Sequence, residues 1–270
     1  MLGALVIVFR EVLEAALIIG IIAAATRNIH GRNRWLWAGL GVGLAGAMVV
    51  AAGAEWISGM ASGLGQEVFN AIILLIAVVM LAWHNIWMST HGAALAGKAR
   101  QAGGDIREGR KAGSALFLIV GLAVLREGSE TVLFLHGIAA GEATSQNSML
   151  AGGLIGIAAG VAVGWGLYAG LLRIPVRWFF AATSLLVLLL AAGMASQAAH
   201  FLIQADLLPS WGAPLWDTSV LIRQDSILGT LLHSLIGYDA RPAGMQIVFY
   251  ALILSAITTG MKWAPRPSFQ

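Results

Sequence analysis

Long apolar runs recur along this 270-residue chain, and they fix the solvent in which it can fold. A bilayer core about 30 Å thick needs roughly 20 apolar residues of helix to cross it. Runs of that length lie near Leu2 to Thr26, Trp35 to Ile57, Val68 to Thr90, Ala112 to Ala140, Met149 to Leu172, Trp178 to Gln204 and Met245 to Lys262. A soluble domain cannot carry so many and still present a polar surface. Hydrophobic residues make up 59% of the chain and charged residues 11%, with a mean hydropathy of +0.82. The expectation is an all-α integral membrane protein of seven transmembrane helices, in contact with membrane lipid. Between the sixth and seventh runs, the segment from Ala205 to Gly244 holds a shorter apolar stretch, Ile227 to Ile236. That stretch is too short to span and reads as an interfacial or re-entrant helix on the outer side.

Basic residues set the orientation. Arg27, Arg32 and Arg34 follow the first run, and Lys98, Arg100, Arg107, Arg110 and Lys111 follow the third. Arg173 and Arg177 follow the fifth, and Lys262 and Arg266 end the chain. The alternate loops, Ser58 to Glu67 and Gly141 to Ser148, carry no Lys or Arg. By the positive-inside rule, this pattern puts the basic loops and the C-terminus in the cytoplasm and the N-terminus outside. The net charge of +3 therefore reports topology and not a nucleic-acid partner. Trp35, Trp37, Trp56, Trp178 and Trp263 fall near run ends, where an amphipathic ring favours the interface. Arg10, Glu11 and Glu14 interrupt the first run, and no cleavage-site pattern accompanies it, so it reads as a mature helix and not as a signal peptide.

The chain also repeats itself. Arg10-Glu11-x-x-Glu14 in the first run matches Arg126-Glu127-x-x-Glu130 in the fourth, an offset of 116 residues. Downstream, Ala38, Gly39, Gly43 and Ala45 recur as Ala151, Gly152, Gly156 and Ala158. Three helices per half reverse direction, so the pattern predicts an inverted 3+3 repeat with a substrate site near the midplane. The chain then divides into a first half, 1–111, a second half, 112–204, an outer segment, 205–244, and a seventh helix with a cytoplasmic tail, 245–270. All belong to one transmembrane domain.

Glutamates three residues apart lie on one helical face, so each motif can offer two carboxylates to one cation. Charges held inside a membrane are expensive unless paired or hydrated, and they mark transport pathways. With all four glutamates ionised, Arg10 and Arg126 leave a net of two negative charges, which a multivalent cation balances. Cysteine is absent, so thiolate sites, iron–sulfur clusters and disulfides are excluded. Oxygen ligands suit hard cations such as Fe(III), Mg, Ca or Mn. His84, Met88, His91, His200 and His233 could assist Fe(II), although each reads more simply as a helix-end or interfacial residue. Glu55 and Glu67, at the outer ends of the second and third helices, read as solvated helix ends or as an outer reception site. Asp225, with Tyr238 and Asp239, is a further candidate to cap the pathway from outside.

A structural role, an Arg-Glu pair fixing helix packing, competes with transport for one motif but explains two inverted copies poorly. A di-iron enzyme would pair Glu with His three residues on. No glutamate in this chain has such a partner. No Gly-x-Ser-x-Gly elbow occurs either. A transporter of another hard cation, or a proton-coupled exporter using the glutamates as relays, remains the alternative.

Arg-Glu-x-x-Glu in the first and fourth helices of a seven-span chain resembles the high-affinity iron permease family, with the bacterial branch nearest in length. The likeness extends to Gln66-Glu67-Val68-Phe69 and to the outer segment from Asp217-Thr218-Ser219 through Gly229-Thr230-Leu231 to Gly237-Tyr238. It implies iron uptake by a permease that is not an enzyme. Glu11, Glu14, Glu127 and Glu130 would be iron ligands, and Arg10 and Arg126 their charge partners. Iron, Fe(II) or Fe(III), would be substrate, with no prosthetic group. The chain carries no large soluble domain, so periplasmic ferroxidase or iron-delivery proteins are implied as partners by analogy.

Overall fold

The computed structural model describes residues 1–27, 29–60, 65–141, 145–170, 176–212, 214–224 and 226–263. Every regular element among them is helical: α1 (Leu2–Ala25), α2 (Arg32–Met60), α3 (Gln66–Arg107), α4 (Ala115–Gly141), α5 (Gln146–Tyr168), α6 (Val176–Gln204), α7 (Ile227–Ile236) and α8 (Gly244–Trp263). Helices are what an apolar chain must form in lipid, because they satisfy every backbone N–H and C=O within the segment. Five stretches are long and apolar enough to cross a membrane: Arg32–Trp56, Gln66–His91, Gln146–Tyr168, Phe180–Gln204 and Gly244–Trp263. The two other long helices, α1 with 24 residues and α4 with 27, each carry an arginine and two glutamates near mid-length.

α1, α3, α4 and α6 form the centre. α1 packs on α3, α4 and α5, and α4 packs on α1, α2 and α3, while α6 joins α3 to α7 and α8. The closest pairings are α1 with α5 and α4 with α2, and both depend on glycine. A Cβ added at Gly156 of α5 would lie 2.8 Å from the Leu5 carbonyl oxygen, and one at Gly39 of α2 would lie 2.7 Å from that of Phe117. Helix backbones approach this closely only across such small residues. Both belong to the sequence repeat, in which Gly39 matches Gly152 and Gly43 matches Gly156.

Two apolar layers sandwich a polar one. At the end where α1 begins, Ile7, Leu74, Leu81, Phe134, Ile138 and Met194 pack together with Ala191 and Ala195. At the opposite end, Ile22, Ala99, Ile106 and Leu116 form a smaller cluster. Between these layers lie the buried groups Arg10, Glu11, Glu14, His84 and Glu127. The outward faces stay apolar, with Val49, Val79, Trp83, Leu122, Leu154 and Trp165 exposed, as a lipid-facing surface requires.

The element bounds follow the predicted runs with one large exception. The third helix continues sixteen residues past His91 to Arg107, through the stretch expected to be a basic loop. At 1.5 Å per residue its 42 residues extend about 63 Å, twice the bilayer core. The continuation is rich in the helix formers Ala, Lys, Arg and Gln, and Ala99 and Ile106 anchor it against Ile22 and Leu116. The fifth helix ends at Tyr168, short of the expected Leu172, where Gly170 turns the chain at φ +71°. The predicted short helix is α7, capped by Ser226, whose hydroxyl accepts from the Gly229 N–H at 3.0 Å. α7 ends at Gly237, φ +70°, which lies against Gly193 of α6. Arg173, Arg266 and Asp225 lie outside the described residues.

Candidate metal centre

The polar layer is built from three helices. α1 presents Arg10, Glu11 and Glu14, α4 presents Arg126, Glu127 and Glu130, and α3 inserts His84 between them. Within each motif the arginine clasps its second glutamate one turn on. Arg10 Nε donates to Glu14 Oε1 at 3.1 Å, and Arg126 Nε donates to Glu130 Oε1 at 2.9 Å. This repetition follows from the identical spacing, because residues four apart share a helix face. The environments differ: the Arg10 side chain is 1% exposed and that of Arg126 is 37% exposed. Arg126 also lies over the Trp87 ring, 4.6 Å from its centroid, and Nε stands 3.6 Å from Glu127 Oε1.

His84 bridges the motifs. Its Nε2 lies 3.6 Å from Glu14 Oε1, and its Nδ1 contacts Glu130 Oε2. Donor atoms of Glu11, Glu14 and His84 all lie within 4.8 Å of one another, as do those of Glu11, Glu127 and Glu130. Glu11 belongs to both groups. The Oε2 atoms of Glu11, Glu14 and Glu127 are buried and accept no hydrogen bond, that of Glu130 meets His84 Nδ1, and Arg10 Nη1 and Nη2 likewise lack hydrogen-bond partners. Buried polar groups are almost always satisfied, so three such oxygens beside the Glu130–His84 contact, between two apolar layers, form a donor set suited to a cation.

The sequence placed the two motifs together, and the structure does the same. It also corrects the reading of His84 as a helix-end residue: α3 runs well past it, and the ring is buried. The neighbouring Asn85 drew no notice in the sequence. It is fully buried, and its Nδ2 donates to the Ser184 carbonyl of α6 at 3.1 Å. An adjacent His-Asn pair within an otherwise apolar run was the available signal. Glu55 and Glu67 are exposed and stand apart from the cluster. His91 is exposed and stacks on Trp87, and Met88 is half-buried beside it in α3. His200 and His233 belong to the other end of the bundle, near α7.

A cavity of about 540 Å³ reaches the cluster from the end of the bundle rich in basic residues. Arg126 and Glu127 line it on one side, and Lys98, Asp105 and Lys111 on the other. Lys111 and Arg110 pair with Asp105 and hold its carboxyl below the usual carboxylate range.

The chain is 32% identical to a ferrous iron permease EfeU of Shigella sonnei over 96% of this chain and 95% of the relative. It is 33% identical, over the same shares, to one of Escherichia coli O6:H1. It is 30% identical to one of Yersinia pestis over 92% and 88%. No solved structure matches it. The model of the iron permease FTR1 family matches residues 1–263, so this multi-pass membrane protein, with its paired charged helices, belongs to that family of iron transporters and is not an enzyme.

Proposed function

We propose that the chain imports ferrous iron across a bacterial inner membrane, holding it midway between Glu11, Glu14, Glu127 and Glu130 with His84 as nitrogen donor. The observation that carries this reading is the pair of donor groups sharing Glu11, each within 4.8 Å, drawn from two helices and completed by a third. A mixed carboxylate and imidazole set suits Fe(II) better than the all-oxygen set expected from sequence. Charge agrees, because four glutamates and two arginines leave two negative charges for a divalent ion to neutralise. The names of the relatives, ferrous iron permeases, point the same way. Arg10 and Arg126 act as charge partners that keep the carboxylates in place.

In this reading α1 and α4 also cross the bilayer, giving seven spans with the N-terminus periplasmic. The inverted repeat is supported by the exchange of partners, α1 on α5 and α4 on α2, each seated on the repeated glycines. The cavity beside Arg126 and Glu127 then faces the cytoplasm, and the apolar layer of Ile7, Leu74 and Phe134 closes the periplasmic side. Delivery or oxidation of iron outside the cell falls to separate periplasmic proteins. The test is uptake of Fe(II) and of Fe(III) into proteoliposomes by the wild type and by Glu14→Gln and Glu130→Gln. The expected result is Fe(II)-selective uptake lost in both variants. Wild-type rates in both would overturn the site, and Fe(III) preference would overturn the choice of ion.

A further inference from the structure

At the end of the bundle where α1 begins, a second cavity of about 200 Å³ lies between α6 and the outer segment. Its walls carry Gln197 and His200 of α6, His233 of α7, and Gln224, Asp239 and Gln246 around them. A space this size holds several waters and hence a hydrated cation. In a membrane protein, a chamber lined by two imidazoles, a carboxylate and three amides contrasts with the apolar packing beside it.

The His233 ring is held in one orientation. Its Nδ1 lies 2.8 Å from the Tyr238 carbonyl oxygen and donates to it. That bond leaves the Nε2 lone pair turned to Gln197, whose amide it meets directly. A ring whose far nitrogen is locked to a backbone carbonyl is the usual form of a metal-ligating histidine. Asp239 is oriented as firmly: Oδ1 accepts from the Arg241 N–H at 3.0 Å and Oδ2 from Gln246 Nε2 at 3.2 Å. Gln246 is itself buried and held by the Ala243 N–H at 2.8 Å. A carboxylate has about four lone-pair directions, so these bonds position Asp239 without exhausting it. A polar tie between α6 and α7 would need only the Gln197–His233 contact, and would not need a chamber around it.

Position adds the second argument. His233, Gln197 and Gly237 also line a narrow cleft of about 20 Å³ that descends to Leu74, Ile138 and Met194. Those three belong to the apolar layer covering the carboxylate cluster. The chamber therefore stands directly above the closed side of the candidate transport site.

We propose that this chamber is a second metal site, in which His233 and Asp239 receive a divalent transition-metal cation before it passes the apolar layer. The identity of that cation as Fe(II) rests on the transport reading above. Imidazole, carboxylate and amide oxygen form a borderline donor set that favours such ions over Ca or Mg.

The experiment is anaerobic equilibrium dialysis of Fe(II) against the full-length purified chain. Glu14→Gln/Glu130→Gln disables the mid-membrane cluster, and this background is expected to retain one bound ion. Adding His233→Ala or Asp239→Asn is expected to remove it. Asp239→Asn keeps side-chain size but sets a donor in place of one accepting oxygen, so an unchanged thermal unfolding temperature in both added variants is what ties their loss of metal to the site. Absence of any ion in the background chain, or an ion retained in both added variants, overturns the chamber site. Comparison of the wild type with the background chain reports separately on the mid-membrane cluster: equal stoichiometry there would count against the transport reading and leave the His233 arm interpretable.

Discussion

Arg10 and Arg126 occupy the same place in the repeated motif, yet burial makes their removal unequal. Arg10 is enclosed, so Arg10→Gln leaves Glu14 in a dry layer without its arginine and with only His84 Nε2 beside it at 3.6 Å, a loss worth up to about 3–5 kcal/mol for a buried pair. Arg126 is more than a third exposed and the cavity beside it admits water, so Arg126→Gln costs much less. Thermal unfolding in detergent should therefore show a large drop for Arg10→Gln and a small one for Arg126→Gln; equal drops would contradict the asymmetry. Glu11 is the residue shared by both donor groups, so Glu11→Gln should reduce Fe(II) uptake at least as far as any other single glutamate change. Both motifs were legible because an Arg-Glu-x-x-Glu inside an apolar run is costly and conspicuous. His84 was legible only as a candidate. A lone histidine gives no sign of the carboxylates it will meet, because Glu14 and Glu130 reach it from helices distant in sequence.

Glycine position decides the elements. Gly156 faces the α1 backbone, whereas a Cβ at Gly153 of the same helix would meet nothing within 4 Å. Gly156→Val should part α5 from α1, destabilise the protein by about 1–3 kcal/mol and lower uptake, while Gly153→Val is tolerated. Gly39 and Gly41 of α2 form the matching pair on α4. Thermal stability of the four variants checks this, and similar losses at Gly153 and Gly156 would refute it. The small-residue repeat was visible in sequence, but which glycines face a partner follows only from packing. The continuation of α3 beyond His91 was missed for a related reason. Gly92, Gly97, Gly103 and Gly104 among basic residues look like a loop, but Gly103 lets the helix lie against Ala25 of α1.

The outer segment is held by charge at its surface. Arg241 donates from Nε to Asp217 Oδ2 at 2.9 Å, and Ser219 donates its N–H to Oδ1 at 2.9 Å. Arg241, with Ser219, holds the Asp217 carboxyl well below the usual carboxylate range. A carboxyl depressed in the folded state contributes its stability above its ordinary pKa of about 3.9 and loses it as pH falls below that value. Hydrogen exchange around Thr218, corrected for intrinsic rates, should thus be unchanged from pH 8 to 5 and quicken only in stronger acid. Asp217→Asn should show the faster exchange already at pH 7.

For the whole molecule, orientation follows from charge placement and is open to a direct test because the chain has no cysteine. Glu67 and Asn147 are exposed near the starts of α3 and α5, at the end of the bundle where α1 begins. Glu108 is exposed just beyond the end of α3, among the basic residues Arg107, Arg110 and Lys111. The positive-inside rule assigns that basic end to the cytoplasm. Single cysteines at these positions should therefore divide by side. A membrane-impermeant maleimide applied to intact spheroplasts should label Glu67→Cys and Asn147→Cys at once, and Glu108→Cys only after permeabilisation. The reverse pattern would invert the protein and make the cavity beside Glu127 the outward one. Labelling of Glu67→Cys and Glu108→Cys from the same side would deny that α3 crosses at all. The same three cysteines locate both cavities, since the chamber around His233 lies at the Glu67 end and the larger cavity at the Glu108 end. The expected labelling would put the His233 chamber outside and the cavity beside Lys98 and Asp105 inside, the order that the proposed import past Phe134 and Ile7 to the four glutamates requires.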